Sequence, residues 1–125
     1  MGGELTDPAV MVARSRQHAA AAETLAAAGN EWFAVCWFYG AYHLARARMH
    51  ADPIFQDPTR LTQVSPRLCM DDRTASRHQG RKGAKGQPEL GVSDIVRLLY
   101  PEIVGSYHRL HQASIDVRYG RGLSA

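Results

Sequence analysis

Apolar residues recur at helical spacing in two long stretches of this chain and lose that spacing in between. The densest stretch is Glu31 to His50, EWFAVCWFYGAYHLARARMH. Trp32, Phe33, Val35, Cys36, Trp37, Phe38, Tyr39 and Tyr42 crowd its first half. Apolar positions nearly encircle three turns there, which predicts a central helix packed on more than one side. Asn30 supplies a start signal, because its side chain can accept a bond from an orphan N–H of the first turn. Gly40 lies mid-helix, where it costs about 1 kcal/mol relative to Ala. A glycine kept at such a position points to close approach by another backbone. Arg46, Arg48 and His50 place cations at the C-terminal end, as the helix dipole favours.

Before this helix, Asp7-Pro8 reads as a cap followed by proline at the first helical position. The helix it opens runs to about Ala28, with Val12, Ala19, Ala22, Leu25 and Ala26 along one stripe. Its alanine runs favour helix and allow close packing. Gly29-Asn30 alone joins it to the central helix, so the two form an antiparallel hairpin. Residues 51–91 break the pattern. Pro53, Pro58, Pro66 and Pro88 punctuate them, and Gly80, Gly83, Gly86 and Gly91 crowd the second half. We expect a long loop over 52–91 with a short helical piece near Thr59 to Leu68. Helical spacing resumes at Val92, with Ser93-Asp94 capping a short helix that ends at Pro101. A last helix, Glu102 to about Tyr119, carries Ile103, Tyr107, Leu110, Ser114 and Val117 on one face, and Gly120 closes it. No internal repeat and no strand pattern is apparent.

The expected fold is therefore all-α: an up-down bundle of about four helices with a long basic loop between the second and third. A length of 125 residues argues for a single domain over 1–125. It divides into a tail (1–7), a helical hairpin (8–51), the loop (52–91) and C-terminal helices (92–120). The balance of 45% hydrophobic and 22% charged residues is that of a globular core. No run of 18 apolar residues exists, which argues against a membrane span, and the N-terminus lacks a signal-peptide pattern. Met1-Gly2 with Thr6 formally fits a myristoylation pattern, but the Ala- and Arg-rich composition speaks for a bacterial protein. Cys36 and Cys69 make no disulfide scaffold, and Cys36 is expected as a small buried hydrophobe. A reducing cytoplasm is the expected compartment.

The net charge of +3 matters less than its clustering. Arg73, Arg77, Arg81, Lys82 and Lys85 put five cations into thirteen residues, with His78 among them. Such a segment can neutralise several phosphates, and its glycines let backbone approach closely. No aromatics interleave to stack bases, so a stacking platform is not expected there. The bland alternative, a solvated loop that keeps the chain soluble, weighs about equally. Six histidines raise the question of metal. His43 and His50 share one helix face and His108 and His111 another, but two separate pairs do not make a ligand set, so no metal and no cofactor is expected.

The run Trp37-Phe38-Tyr39-Gly40-Ala41-Tyr42-His43-Leu44-Ala45-Arg46-Ala47 resembles the aromatic second helix of HEPN (higher eukaryotes and prokaryotes nucleotide-binding) domains. Arg77-His78-Gln79-Gly80-Arg81 after the loop, and Tyr107-His108-Arg109-Leu110 followed by Arg118-Tyr119, are similar to further family features. The resemblance spans roughly residues 8 to 119. It implies a HEPN-like bundle that works as a homodimer, associated with RNA in a bacterial defence or toxin–antitoxin type system. Catalytic members of the family are metal-independent ribonucleases whose signature is Arg, four to six residues, then His, near the start of the last helix. Here Arg109 and His111 are too close together for it. Arg73 and His78 have the spacing but precede the short helix. They are the candidate catalytic pair: His takes a proton near neutrality and Arg steadies charge on phosphate. Arg77, Arg81, Lys82 and Lys85 are the candidate nucleic-acid contacts, and Arg118 and Tyr119 a candidate cleft. The second reading, from another class, is a non-catalytic dimerisation or protein-interaction module that docks a cognate partner.

Overall fold

The computed structural model describes residues 7–82 and 88–120. Among these residues five α-helices carry the fold: α1 (Pro8–Ala27), α2 (Phe33–Ala51), α3 (Pro58–Val64), α4 (Val92–Leu99) and α5 (Val104–Arg118). Two 3₁₀ turns, Pro53–Gln56 and Met70–Thr74, flank α3. A two-residue ladder pairs β1 (Arg81–Lys82) antiparallel with β2 (Pro88–Glu89). Among the described residues no helix is long and apolar enough to cross a membrane.

The hairpin forms as the capping signals predict. Asp7 Oδ1 accepts from the Ala9 N–H at 2.9 Å, with Pro8 at the first helical position. At the other end Asn30 N–H donates to Leu25 C=O and Gly29 N–H to Ala26 C=O, while Gly29 sits at φ 69°. That paired pattern is a Schellman ending, and its left-handed residue is where glycine carries no penalty. Asn30 Oδ1 then accepts from the Trp32 N–H, so a turn precedes α2 and the regular helix begins at Phe33, two residues later than expected.

Central helix α2 packs against α1, α4, α5 and the second 3₁₀ turn. Gly40 meets α1 directly: a Cβ placed on it would lie 3.3 Å from the Ser15 carbonyl oxygen. Val117 clusters with Ala34 and Val35, while Tyr107 and His111 meet Phe38, so α5 runs antiparallel to α2.

The segment expected as one long loop is different in kind. Asp52 and Asp57 repeat the Asp-Pro start of α1. Asp52 Oδ1 accepts from Ile54 N–H at 3.0 Å and Asp57 Oδ1 from Arg60 N–H at 3.1 Å. Each opens a short helical element whose first residue is a proline. These elements drive Ile54, Phe55, Leu61 and Leu68 into the main core, where Phe38, Met49, Val92 and Ile95 are fully buried. The expectation of no strand is corrected by the small ladder.

Three further expectations about burial change. Trp32 and Trp37 are 49% and 38% exposed; Phe38 and Tyr42 carry the aromatic core from α2. On α5, Ile103 precedes the helix and is exposed, and the inward line is Tyr107, His111, Ser114 and Val117. Cys36 is half-buried rather than buried, and it and the exposed Cys69 are free thiols.

Candidate functional site

Every side chain at the site is held by an element with its own reason to form. After the 3₁₀ turn ends at Thr74, residues 75–79 run without helix toward α4. That strip is fastened by backbone bonds: Val92 N–H donates to Arg77 C=O at 2.7 Å and Ser93 N–H to His78 C=O at 2.9 Å. The Tyr42 hydroxyl donates to the Ser76 carbonyl from the α2 side. Gly91 and Gly80 let the strip lie flat on the start of α4, since a Cβ on Gly91 would come within 2.4 Å of the Gln79 carbonyl carbon. His78 is thereby pinned over the aromatic face of α2.

There its ring lies 4.5 Å from Tyr42, 5.1 Å from Phe38 and 5.5 Å from His111, centroid to centroid. His111 stacks on Phe38 at 4.5 Å with ring planes 9° apart. Arg118, about two turns of α5 further on, reaches the Tyr39 hydroxyl with Nη1 at 3.4 Å, and its guanidinium lies 5.9 Å from the Tyr119 ring. Ser76, Arg77, His78, His111, Arg118 and Tyr119 line an open cleft of about 480 Å³. Tyr119 is 72% exposed at its mouth. His78 Nδ1 and Arg118 Nε are buried with no hydrogen-bond partner among the described residues.

Electrostatics follow from this packing. Burial lowers the pKa of His78 below its ordinary value, and the neighbouring His111 and Arg118 lower it further. His111 is lowered by burial, then by Arg118 and His108. Both imidazoles are therefore mainly neutral near pH 7, and a proton on His111 opposes one on His78. A larger recess of about 790 Å³ adjoins the cleft, sharing Gln79, His111 and Ile115 with it.

The residues expected to carry chemistry are distributed unevenly. His78, Arg118 and Tyr119 share the cleft, with Arg77 at its edge. Arg73 does not line it; it lies in the 3₁₀ turn, where its charge acts on His50. The 3₁₀ turn stops at Thr74, and beyond it the extended chain carries His78 away from Arg73 at roughly 3.3 Å per residue. Arg81 is paired across the ladder with Glu89 at 2.8 Å. Lys82 contributes backbone to β1, and Lys85 lies outside the described residues. Among the described residues no three His, Cys, Asp or Glu side chains converge as metal ligands. His111 was legible only as half of a surface pair. Its signal was its spacing of four from Tyr107 and three from Ser114, the inward line of α5.

Comparison with protein-family models, characterised proteins and solved structures gives no match to this chain.

Proposed function

We propose that the chain is a HEPN-like, RNA-associated domain of a bacterial defence or toxin–antitoxin type system, and that its cleft cleaves RNA phosphodiesters by acid–base chemistry. The observation that carries this reading is the pair of imidazoles 5.5 Å apart with an arginine beside them. In the reaction one neutral imidazole takes the proton of a 2′-hydroxyl. The 2′-oxygen forms a bond to phosphorus and the bond to the 5′-oxygen breaks. The other imidazole, protonated, returns a proton to that leaving oxygen. Arg118 balances the charge gathering on the phosphate oxygens, and Tyr119 offers an exposed ring for a base to stack on. Mutual repulsion suits the division of labour, because it favours one proton on the pair over two.

The test is cleavage of single-stranded RNA with metal chelated. Wild type should cleave, and His78→Ala, His111→Ala and Arg118→Ala should each lose on the order of 10²-fold or more. Arg73→Ala should retain activity. Absence of wild-type cleavage on varied RNAs, or cleavage unaffected by all three substitutions, removes the catalytic reading.

A second reading, the dimerisation or partner-docking module, is favoured by a separate feature. Ala41, Leu44, Tyr100, Ile103 and Leu110 line an apolar groove of about 340 Å³ between α2 and α5, and Leu44 and Ile103 are exposed on it. Sedimentation analysis of wild type against Leu44→Glu reads whether a second copy occupies that groove.

A further inference from the structure

A second cluster of basic side chains lies on the hairpin, beyond Tyr42 from the cleft. Arg14 and His18 stand four apart on α1, and His43 and Arg46 three apart on α2, spacings that put each pair on one helix face. The hairpin turns the two faces together. The His18 and His43 rings stack at 5.3 Å with planes 12° apart. Arg46 lies with its guanidinium 5.6 Å from the Tyr42 ring centre. His43 Nδ1 and Arg46 Nε are buried without a hydrogen-bond partner among the described residues. The basic groups acting on His43 are His18, Arg46, Arg14 and His78, with no carboxylate among them. Burial first, and then these basic neighbours, lower its pKa to about 4.

A cluster of this make-up has the chemistry of an oxyanion site. Two guanidiniums supply charge and fork-shaped donors, and two imidazoles supply further N–H groups. Cations gathered this closely repel one another, and an anion among them removes the repulsion. We propose that Arg14, His18, His43 and Arg46 form a phosphate-binding subsite, separate from the cleft and occupied by a second phosphate of the same RNA strand. The strand assignment rests on the function proposed above; the phosphate chemistry does not. Geometry supports one strand at both sites: the Tyr42 ring lies 5.2 Å from His43 and 4.5 Å from His78, so one ring contacts both clusters. Arg118 and Arg46 thus flank a single aromatic strip formed by Tyr39 and Tyr42.

Binding of a dianion must raise the His43 pKa, since the anion favours the charged imidazole. The groups that set its starting value are His18 and Arg14 from α1, Arg46 from α2 and His78 from the strip. Inorganic sulfate is the first probe, because it stays dianionic across the titration. Imidazole resonances are followed by NMR against pH, with and without sulfate. The expected result is a saturable shift at His18 and His43 and a rise of about one pKa unit or more at His43, equal to tenfold tighter sulfate binding to the protonated form. Arg14→Glu, at an exposed position, should abolish both effects while the protein stays folded, and His78→Ala should leave them intact. His18 and His43 resonances that ignore sulfate, or that shift equally in Arg14→Glu, overturn the subsite. A short single-stranded oligoribonucleotide is the second probe. Weakening of its binding by both Arg14→Glu and His78→Ala supports one strand across both sites. Weakening by neither, with the sulfate effect present, confines the subsite to free phosphate or phosphate monoesters and overturns the strand assignment alone. RNA cleavage is scored separately, so its absence does not touch the sulfate result.

Discussion

Substituting Gly91 by Ala isolates the contact that positions His78. The Gly91 backbone, at φ −91° and ψ 172°, is open to any residue, so Ala brings no conformational strain. It should even stabilise by about 0.4–1 kcal/mol through the unfolded chain. Against this, the new Cβ would lie 2.4 Å from the Gln79 carbonyl carbon, 2.6 Å from its Cα and 2.7 Å from the Gly80 nitrogen. Carbon atoms rest at about 3.5–4 Å, so the Gln79–Gly80 backbone must retreat by roughly an ångström. These neighbours are main chain and cannot rotate aside. Overpacking of this kind costs about 1–3 kcal/mol. Retreat also stretches the bonds from Val92 and Ser93 to Arg77 and His78, worth about 1 kcal/mol each. The net loss is about 2–3 kcal/mol, or a fall in Tm of roughly 6–12 °C for a domain of this size. Calorimetric melts of Gly91→Ala give the magnitude, and the His78 imidazole resonance reports displacement from Tyr42 and Phe38. Gly105→Ala is the matched control: its Cβ meets only Arg109 Nη1, at 3.9 Å, so its Tm should hold or rise. A Gly91→Ala protein melting within about 1 °C of wild type, with an unmoved His78, would refute the reasoning.

Three other outcomes follow from named contacts. Asp52 accepts from the Tyr100 hydroxyl at 3.0 Å through Oδ2 and caps Ile54 through Oδ1, so Asp52→Ala should cost about 2–3 kcal/mol in denaturant unfolding, with Asp52→Asn keeping part of it. Gly40→Val should destabilise by about 2 kcal/mol or more, because its Cβ alone already presses the Ser15 carbonyl oxygen and added methyls have nowhere to go; urea midpoints read this directly. His43, His78, His111 and His50 all have folded pKa values below their ordinary 6.5, His43 at about 4. The unfolded chain therefore takes up protons first, and stability should be fully present above about pH 6.5 and decline as pH falls from 6.5 towards 4. Unfolding free energies measured across that range should show this slope, and His43→Gln should flatten it; a flat profile in wild type would mean the imidazoles are not buried as described.

What the sequence determined by itself is what depends on near neighbours in the chain. The hairpin was legible because its signals are local: Asp7-Pro8 to open α1, Gly29 to close it, helical spacing along α2, and Gly40 where another backbone comes close. The same local chemistry was present at Asp52-Pro53 and Asp57-Pro58, yet those prolines look like punctuation until Ile54, Phe55 and Leu61 are seen buried. A short element has too few residues to display a period, and its stability comes from the core it enters. The surplus of aromatics on α2 likewise did not say which rings turn inward. Trp37 and Phe38 are adjacent in the chain, yet Trp37 is exposed and Phe38 fully buried, and only the placement of α4 and α5 chose Phe38 for the core.

The candidate site lies at the far end of that scale. Arg73 and His78 looked paired because spacing was the only available measure, and the break after Thr74 separated them. His78 found its partners, His111 and Arg118, 33 and 40 residues further along the chain. The hairpin brought His18 onto His43 in the same way. Sequence spacing reports geometry only while the backbone stays regular. Once the chain turns, which side chains meet is fixed by packing against a shared surface, here the Phe38–Tyr39–Tyr42 face of α2, and that surface exists only in the folded molecule.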